Sequence, residues 1–207
     1  LIRDITFDLQ FGDRLGIVGP SGAGKTVLLR AIAMLDPVDE GSIEWRGQAI
    51  AGNAVPGYRK QVTYLHQRSA LWDGTVEENL RLPFTLQTRA GEHFDRGRVL
   101  ALLDVLGRDQ SFLAKSSREL SAGEGQIVAL VRALQLEPSV LLLDEPTASL
   151  DPQTAAAAEG LIDQWLKSKA RERALIWVGH DLEQTLRMTR RQLTLRAGRL
   201  ESEKSGE

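Results

Sequence analysis

Gly19-Pro20-Ser21-Gly22-Ala23-Gly24-Lys25-Thr26 decides how this chain is read, because it fits the phosphate-binding loop pattern G-x-x-x-x-G-K-[ST]. Its three glycines let the backbone wrap closely around an anion and turn successive N–H groups inward. Lys25 supplies a mobile positive charge for β- and γ-phosphates, and the Thr26 hydroxyl is set to ligate Mg²⁺. Upstream, Arg14-Leu15-Gly16-Ile17-Val18 reads as a strand entering the loop. Downstream, Lys25 to Leu35 reads as the helix leaving it, with Leu28, Ile32 and Leu35 on one face. The N-terminus of that helix adds its dipole to the anion site. Strand, loop and helix together favour a nucleotide site over a plain glycine-rich turn.

Working outward, the 207 residues carry 26 Lys and Arg against 28 Asp and Glu, a formal net charge of −2, so nothing points to nucleic acid as the main partner. Arg187, Arg190, Arg191, Arg196 and Arg199 cluster late in the chain and read as a solvated face. The chain has no cysteine, which rules out disulfides and thiol chemistry and fits a reducing compartment. Apolar runs such as Val140 to Leu143 are far too short to span a bilayer, and no signal peptide is visible. The chain is therefore expected to be soluble by itself. It begins at Leu1 rather than Met, inside what reads as a strand, and native residues are expected upstream.

Ile5, Phe7, Leu9 and Phe11 alternate with polar residues, the pattern of a half-buried strand ending at the Gly12-Asp13 turn. Ser42 to Arg46 and Gln61 to Leu65 are further strand candidates. Ser69 to about Leu120 shows helical spacing, in Val76 to Leu80 and in Val99, Leu102, Leu103 and Leu106, and reads as a helical lobe. Val140 to Leu143 and Leu175 to Val178 are short continuous apolar runs, as central parallel strands covered on both faces are. Between them Asp151-Pro152 opens a helix whose apolar stripe is Ala158, Leu161, Ile162, Trp165 and Leu166. Strand and helix alternate, so the class is α/β.

Asp144 and Glu145 end the apolar strand that begins at Val140. A carboxylate at Asp144 can hold Mg²⁺ through its water shell, and Glu145 can polarise a water for in-line attack on a γ-phosphate. In Leu120-Ser121-Ala122-Gly123-Glu124-Gly125-Gln126, Ser121 is suited to cap the following helix, whose stripe is Ile127, Leu130, Val131 and Leu134. A serine hydroxyl and free N–H groups at a helix start make a second anion site.

With the loop and the Asp-Glu pair, that stretch resembles the signature sequence of ABC (ATP-binding cassette) ATPases. Nearly the whole chain then falls into register. Gln67 resembles the Q-loop glutamine that contacts Mg²⁺ and reports on the transport partner. Ala148-Ser149-Leu150-Asp151 resembles the D-loop, and His180 resembles the switch histidine that hydrogen-bonds the γ-phosphate. The resemblance implies one ABC ATPase domain over residues 1–207. Its P-loop NTPase (RecA-like) core would take 1–68 and 123–207, with an N-terminal antiparallel β part. A small inserted α-helical lobe would take 69–122.

It also implies ATP and Mg²⁺ as cofactors. Glu145, His180 and Gln67 would be catalytic, with Mg²⁺ held by Thr26, Gln67 and Asp144. Gly19 to Val27 would bind ATP. Two copies would close head to tail on ATP, with Ser121, Ala122, Gly123 and Glu124 contacting the nucleotide of the other copy, and Asp151 would be the D-loop residue. A transmembrane permease subunit is the implied partner, and no nucleic acid. The implied location is cytoplasmic, peripheral on the cytoplasmic face of a membrane. A soluble mechanochemical cassette is the competing reading.

Three positions depart from the family pattern. Ala122 stands where the signature usually has its first glycine, which is tolerable if the residue already has helical dihedrals. Ile127 replaces a common arginine. Val27 replaces a second hydroxyl residue, removing a phosphate hydrogen bond worth on the order of 1 kcal/mol. The aromatic that stacks on adenine in the family is expected before residue 1, with Phe7 and Phe11 assigned to the core. Segments Gln67 to Leu80 and Leu175 to His180, with the compact helical lobe, most resemble the ATPases of Fet-type metal (iron) export systems. Leu71 and Trp72 lie near the tip of a polar turn, where exposed apolar groups mark docking surfaces.

Overall fold

The computed structural model describes residues 2–205, so Leu1 and the strand start expected there lie outside it. In chain order the elements are β1 (Arg14–Val18), α1 (Lys25–Ile32), β2 (Glu44–Trp45), β3 (Gln48–Ala49), α2 (Val55–Gln61), β4 (Val62–Leu65), α3 (Val76–Arg81) and α4 (Arg96–Val105). They continue with α5 (Ala122–Leu134), β5 (Val140–Asp144), α6 (Pro152–Ser168), β6 (Ala174–Val178), α7 (Leu182–Met188), β7 (Arg191–Arg196) and β8 (Arg199–Ser205). Two compact units interleave along the chain. The first takes the chain up to Tyr64, Pro138–Glu145 and the chain from Lys169 onward; the second takes Leu65–Glu137 and Pro146–Ser168.

The first unit holds a six-stranded sheet in the order β4-β5-β6-β1-β7-β8. β5, β6, β1 and β7 pair in parallel, and β8 closes the edge antiparallel to β7. Every residue of β5 and β6 is buried, because strands covered on both faces have no solvent side. Leu15, Ile17, Leu29, Leu142, Ile176 and Leu193 belong to the resulting core. A two-stranded antiparallel ribbon, β2 with β3, is the separate small sheet of this unit.

Three expectations are corrected here. Ile5, Phe7 and Leu9 are half-buried in alternation, as a strand would place them, but residues 5–11 join no ladder. Alternation reports one-sided burial and does not by itself supply a pairing partner. The segment is pinned instead by Arg191, which donates to Asp8 O (2.9 Å) and pairs with Asp13 (2.8 Å) and Glu203. Phe11 is 41% exposed and meets Trp45 edge-on instead of filling the core. Helix α1 stops at Ile32 because Met34 takes a left-handed φ of 56°, and Leu35 N donates back to Arg30 O (2.9 Å), a Schellman-type end. Leu35 is consequently exposed.

The late arginines are also less free than a solvated face implies. Besides Arg191, Arg196 pairs with Glu201 (3.3 Å) and Arg199 with Asp4 (3.1 Å).

In the second unit α5 packs against α3, α4 and α6. Its side chains from Ile127 to Val131 are all buried, and Gln135 just past its end donates to Leu80 O (2.7 Å). Because α5 and α6 pack with these helices, the unit extends well beyond the 69–122 span drawn from sequence. The stripe Ala158, Leu161, Ile162, Trp165 and Leu166 of α6 is buried as its spacing requires. Among the described residues no helix is long and apolar enough to cross a membrane.

Candidate functional site

The glycine loop owes its shape to the strand end that backs it. Gly19 has φ 149°, and a Cβ there would lie 2.1 Å from Leu195 O. Gly24, at φ 100°, is the N-cap of α1, and a Cβ there would meet the Ile2 side chain at 2.6 Å. An L side chain fails at both on dihedral and on space. The turn between β7 and β8 completes the backing, with Gly198 N donating to Ala23 O (3.1 Å) and Arg3 N donating to Gly198 O (2.9 Å).

Lys25 is buried, and its ammonium donates to Gly19 O (2.7 Å) and Pro20 O (3.0 Å) across the loop. Ser21 and Thr26 are exposed, Val27 half-buried. Asp144, 1% exposed, ends β5 and accepts a hydrogen bond from Tyr64 Oη at 2.9 Å through Oδ2. Burial and the Asp144 charge hold the Tyr64 phenol well above its ordinary pKa, so it stays a donor.

Glu145 follows in a left-handed conformation (φ 52°), a costly setting for a residue with a Cβ. Its N–H donates to Val178 O (2.8 Å), tying it to the end of β6, and its Oε1 directly contacts His180 Nε2. The first unit therefore gathers the loop with Lys25, and likewise Asp144, Glu145 and His180 at the ends of two neighbouring strands. Tyr64 is the contributor that the sequence reading passed over; a phenol bonded 80 positions away leaves no spacing to read.

The remaining residues belong to the second unit. Gln67 is exposed just past β4. Ser121 is the N-cap of α5 in a reciprocal capping box with Glu124: Glu124 N donates to Ser121 Oγ (3.2 Å), and Ser121 N to Glu124 Oε2 (2.9 Å). Ala122 is the first helical residue and has no positive φ, so its Cβ carries no left-handed penalty. Lys115 adds a 2.8 Å pair to Glu124, and with the Ser121 N–H it holds that carboxyl below the usual range.

Gly123 faces Ser149 O, which a Cβ would approach to 2.6 Å, and Ser149 N donates to the buried Gln126 Oε1 (2.9 Å). The signature turn and the D-loop are thus packed together inside this unit. Asp151 caps α6, accepting from Gln153 N (3.1 Å), Thr154 N (3.0 Å) and Thr154 Oγ1 (2.6 Å). The Thr154 bonds hold its carboxyl below its ordinary pKa.

A nucleotide with Mg²⁺ fits the first unit on the chemistry of its donors. The Thr26 hydroxyl and the Asp144 carboxylate are hard oxygen ligands, and Mg²⁺ characteristically combines one or two such groups with substrate phosphates. At Gly22 (φ 77°) nothing lies within 4 Å of where a Cβ would stand, so the loop is open there for phosphates to meet N–H groups.

Known proteins share this chain's family and fold. A family model described as ABC transporter matches residues 2–148. The Fe(3+) ions import ATP-binding protein FbpC 1 of Rhodococcus jostii is 37% identical over 204 residues, covering 97% of this chain and 56% of its own length. The probable iron export ATP-binding protein FetA of Escherichia coli is 34% identical over 184 residues, covering 89% of this chain and 80% of its own. The chain spans little more than half the length of several curated relatives. Among solved structures, the dimeric post-hydrolysis state of the ATP-binding cassette MJ0796 bound to ADP and Pi matches with a TM-score of 0.87 at 26% identity. That match covers 100% of this chain and 90% of the other. The shared fold is a RecA-like phosphate-loop core with an N-terminal β-sheet and an inserted helical subdomain.

Proposed function

Because this chain belongs to the ABC transporter family, we propose that it binds and hydrolyses ATP as the motor subunit of a membrane transporter. The observation that carries this reading is the Glu145–His180 contact on strands that also present Asp144, in the unit that holds the Lys25 loop. Lys25 exchanges its two loop carbonyls for the β- and γ-phosphates, a full charge meeting charge where before it met dipoles. Thr26, Asp144 and, by the family resemblance, Gln67 would hold Mg²⁺, which would supply positive charge to offset that of the phosphates.

Glu145 orients the attacking water and takes its proton as the new O–P bond forms and the bond to the leaving ADP oxygen breaks. His180 contacts the γ-phosphate and fixes the Glu145 carboxylate from the other side.

Ser121 to Glu124 serve the nucleotide of a second copy, so ATP joins two copies and hydrolysis releases them. The dimeric structures of MJ0796, one of them with ADP and Pi bound, support the pairing of two copies. A transmembrane permease is the partner, which places the chain at the cytoplasmic face of a membrane. Relatives named for Fe(3+) import and for iron export support iron-linked transport, in a direction set by the permease. The test is ATP turnover and ATP-dependent dimerisation of the purified chain, with Glu145→Gln as the control that dimerises without turning over. Identification of the membrane protein that co-purifies with it then decides transport against a soluble mechanochemical role.

A further inference from the structure

Strands β4 and β5 are neighbours in the sheet, and side chains clamp them at both ends. Where they begin, Ser139 N donates to Gln61 O (2.8 Å) and Ser139 Oγ donates to Gln61 Oε1 (2.9 Å). Where they end, Tyr64 Oη donates to Asp144 Oδ2 (2.9 Å). The Tyr64 ring packs against the core, so its hydroxyl is delivered from a fixed position. Asp144 is 1% exposed, and water cannot readily replace a donor lost there. A carboxylate turns about a broad, roughly two-fold terminal torsion. A donor on Oδ2 selects one orientation and leaves Oδ1 for the water shell of a metal.

We propose that Tyr64 is a positioning residue for Asp144: its phenol fixes the carboxylate that holds Mg²⁺ and so sets how tightly the metal joins the bound nucleotide. The inference rests on the ATPase reading above and adds a residue outside all its motifs. Loss of the hydroxyl lets the carboxylate rotate, while the ring still fills its place in the core. Partners that orient a metal ligand typically matter by one to two orders of magnitude in metal affinity. Asp144 acts through water, which places the effect at the lower end.

The test uses the purified chain with ADP and Mn²⁺ as the probe, read by electron paramagnetic resonance. Tyr64→Phe is expected to weaken Mn²⁺ binding to the ADP complex roughly tenfold, with ADP affinity in EDTA unchanged. In an Asp144→Asn background the same substitution is expected to add nothing, since it acts through that carboxylate. A purely structural role would weaken ADP with and without metal together, and that result overturns the proposal. So does Mn²⁺ affinity unchanged by Tyr64→Phe, which leaves the ATPase reading standing. Wild-type protein that binds no ADP overturns the ATPase reading, and the proposal with it.

Discussion

Asn79 holds Trp72 by both of its backbone groups. Trp72 N donates to Asn79 Oδ1 (2.8 Å), and Asn79 Nδ2 donates to Trp72 O (3.0 Å) and to Thr75 O (2.9 Å). Asn79 is 2% exposed while Trp72 is 69% exposed. A large apolar ring is therefore presented to solvent on a backbone that cannot easily retract it. Docking on a partner accounts for that combination better than core packing does.

Trp72→Ala should accordingly leave ATP turnover of the isolated chain near the wild-type rate while detaching it from the proposed permease. Co-purification with membranes, and transport in reconstituted vesicles, are the measurements. Undiminished association would put the docking surface elsewhere on the molecule.

Glu145→Gln keeps the size of the side chain and removes its ability to take a proton. Turnover should drop on the order of 10²-fold, with ATP still bound and an ATP-loaded dimer accumulating on size exclusion. Hydrolysis close to the wild-type rate would remove Glu145 from the chemistry.

Lys25→Ala should abolish both nucleotide affinity and turnover, because loop amides cannot replace a full positive charge. Lys25→Arg should rescue poorly, since a planar fork does not fit between the Gly19 and Pro20 carbonyls as an ammonium does. Calorimetric titration with ATP reads both, and alanine-variant affinity equal to wild type would refute the assignment.

Two glycines of the signature turn offer an internal contrast. A Cβ at Gly123 would sit 2.6 Å from Ser149 O, a backbone atom, whereas at Gly125 the nearest atoms are at ordinary distances from 3.6 Å. Gly123→Ala must push the D-loop aside and should cut turnover by about an order of magnitude or more without weakening ATP binding to the isolated chain. Gly125→Ala should be tolerated, and gains helix propensity of up to about 1 kcal/mol. Equal turnover in the two variants would separate the signature from the D-loop functionally.

Features set by neighbours in sequence were legible without coordinates. The α6 stripe, the Arg14–Val18 strand and the Ser121 cap each depend on a few adjacent residues, and each is found where spacing puts it. What spacing does not encode is pairing between distant segments. The Ile5 to Phe11 alternation carried no information about a missing ladder partner, and Phe11 is drawn out to Trp45 instead. The candidate site residues stand in motifs that sequence alone displays, but the Tyr64–Asp144 bond and the Gly123–Ser149 approach do not. Both join residues far apart in the chain through geometry that only packing creates.

The wall behind the glycine loop consists of Leu195 and Gly198, which follow that loop by more than half the chain. On the ribosome the motif emerges long before its backing does. A nascent chain exposed only as far as Glu145 already spells the phosphate-binding sequence, yet lacks the carbonyl that shapes Gly19 and the turn that holds Ala23. The motif therefore cannot take its binding shape until Leu195 and Gly198 have also emerged, however early its own residues are made.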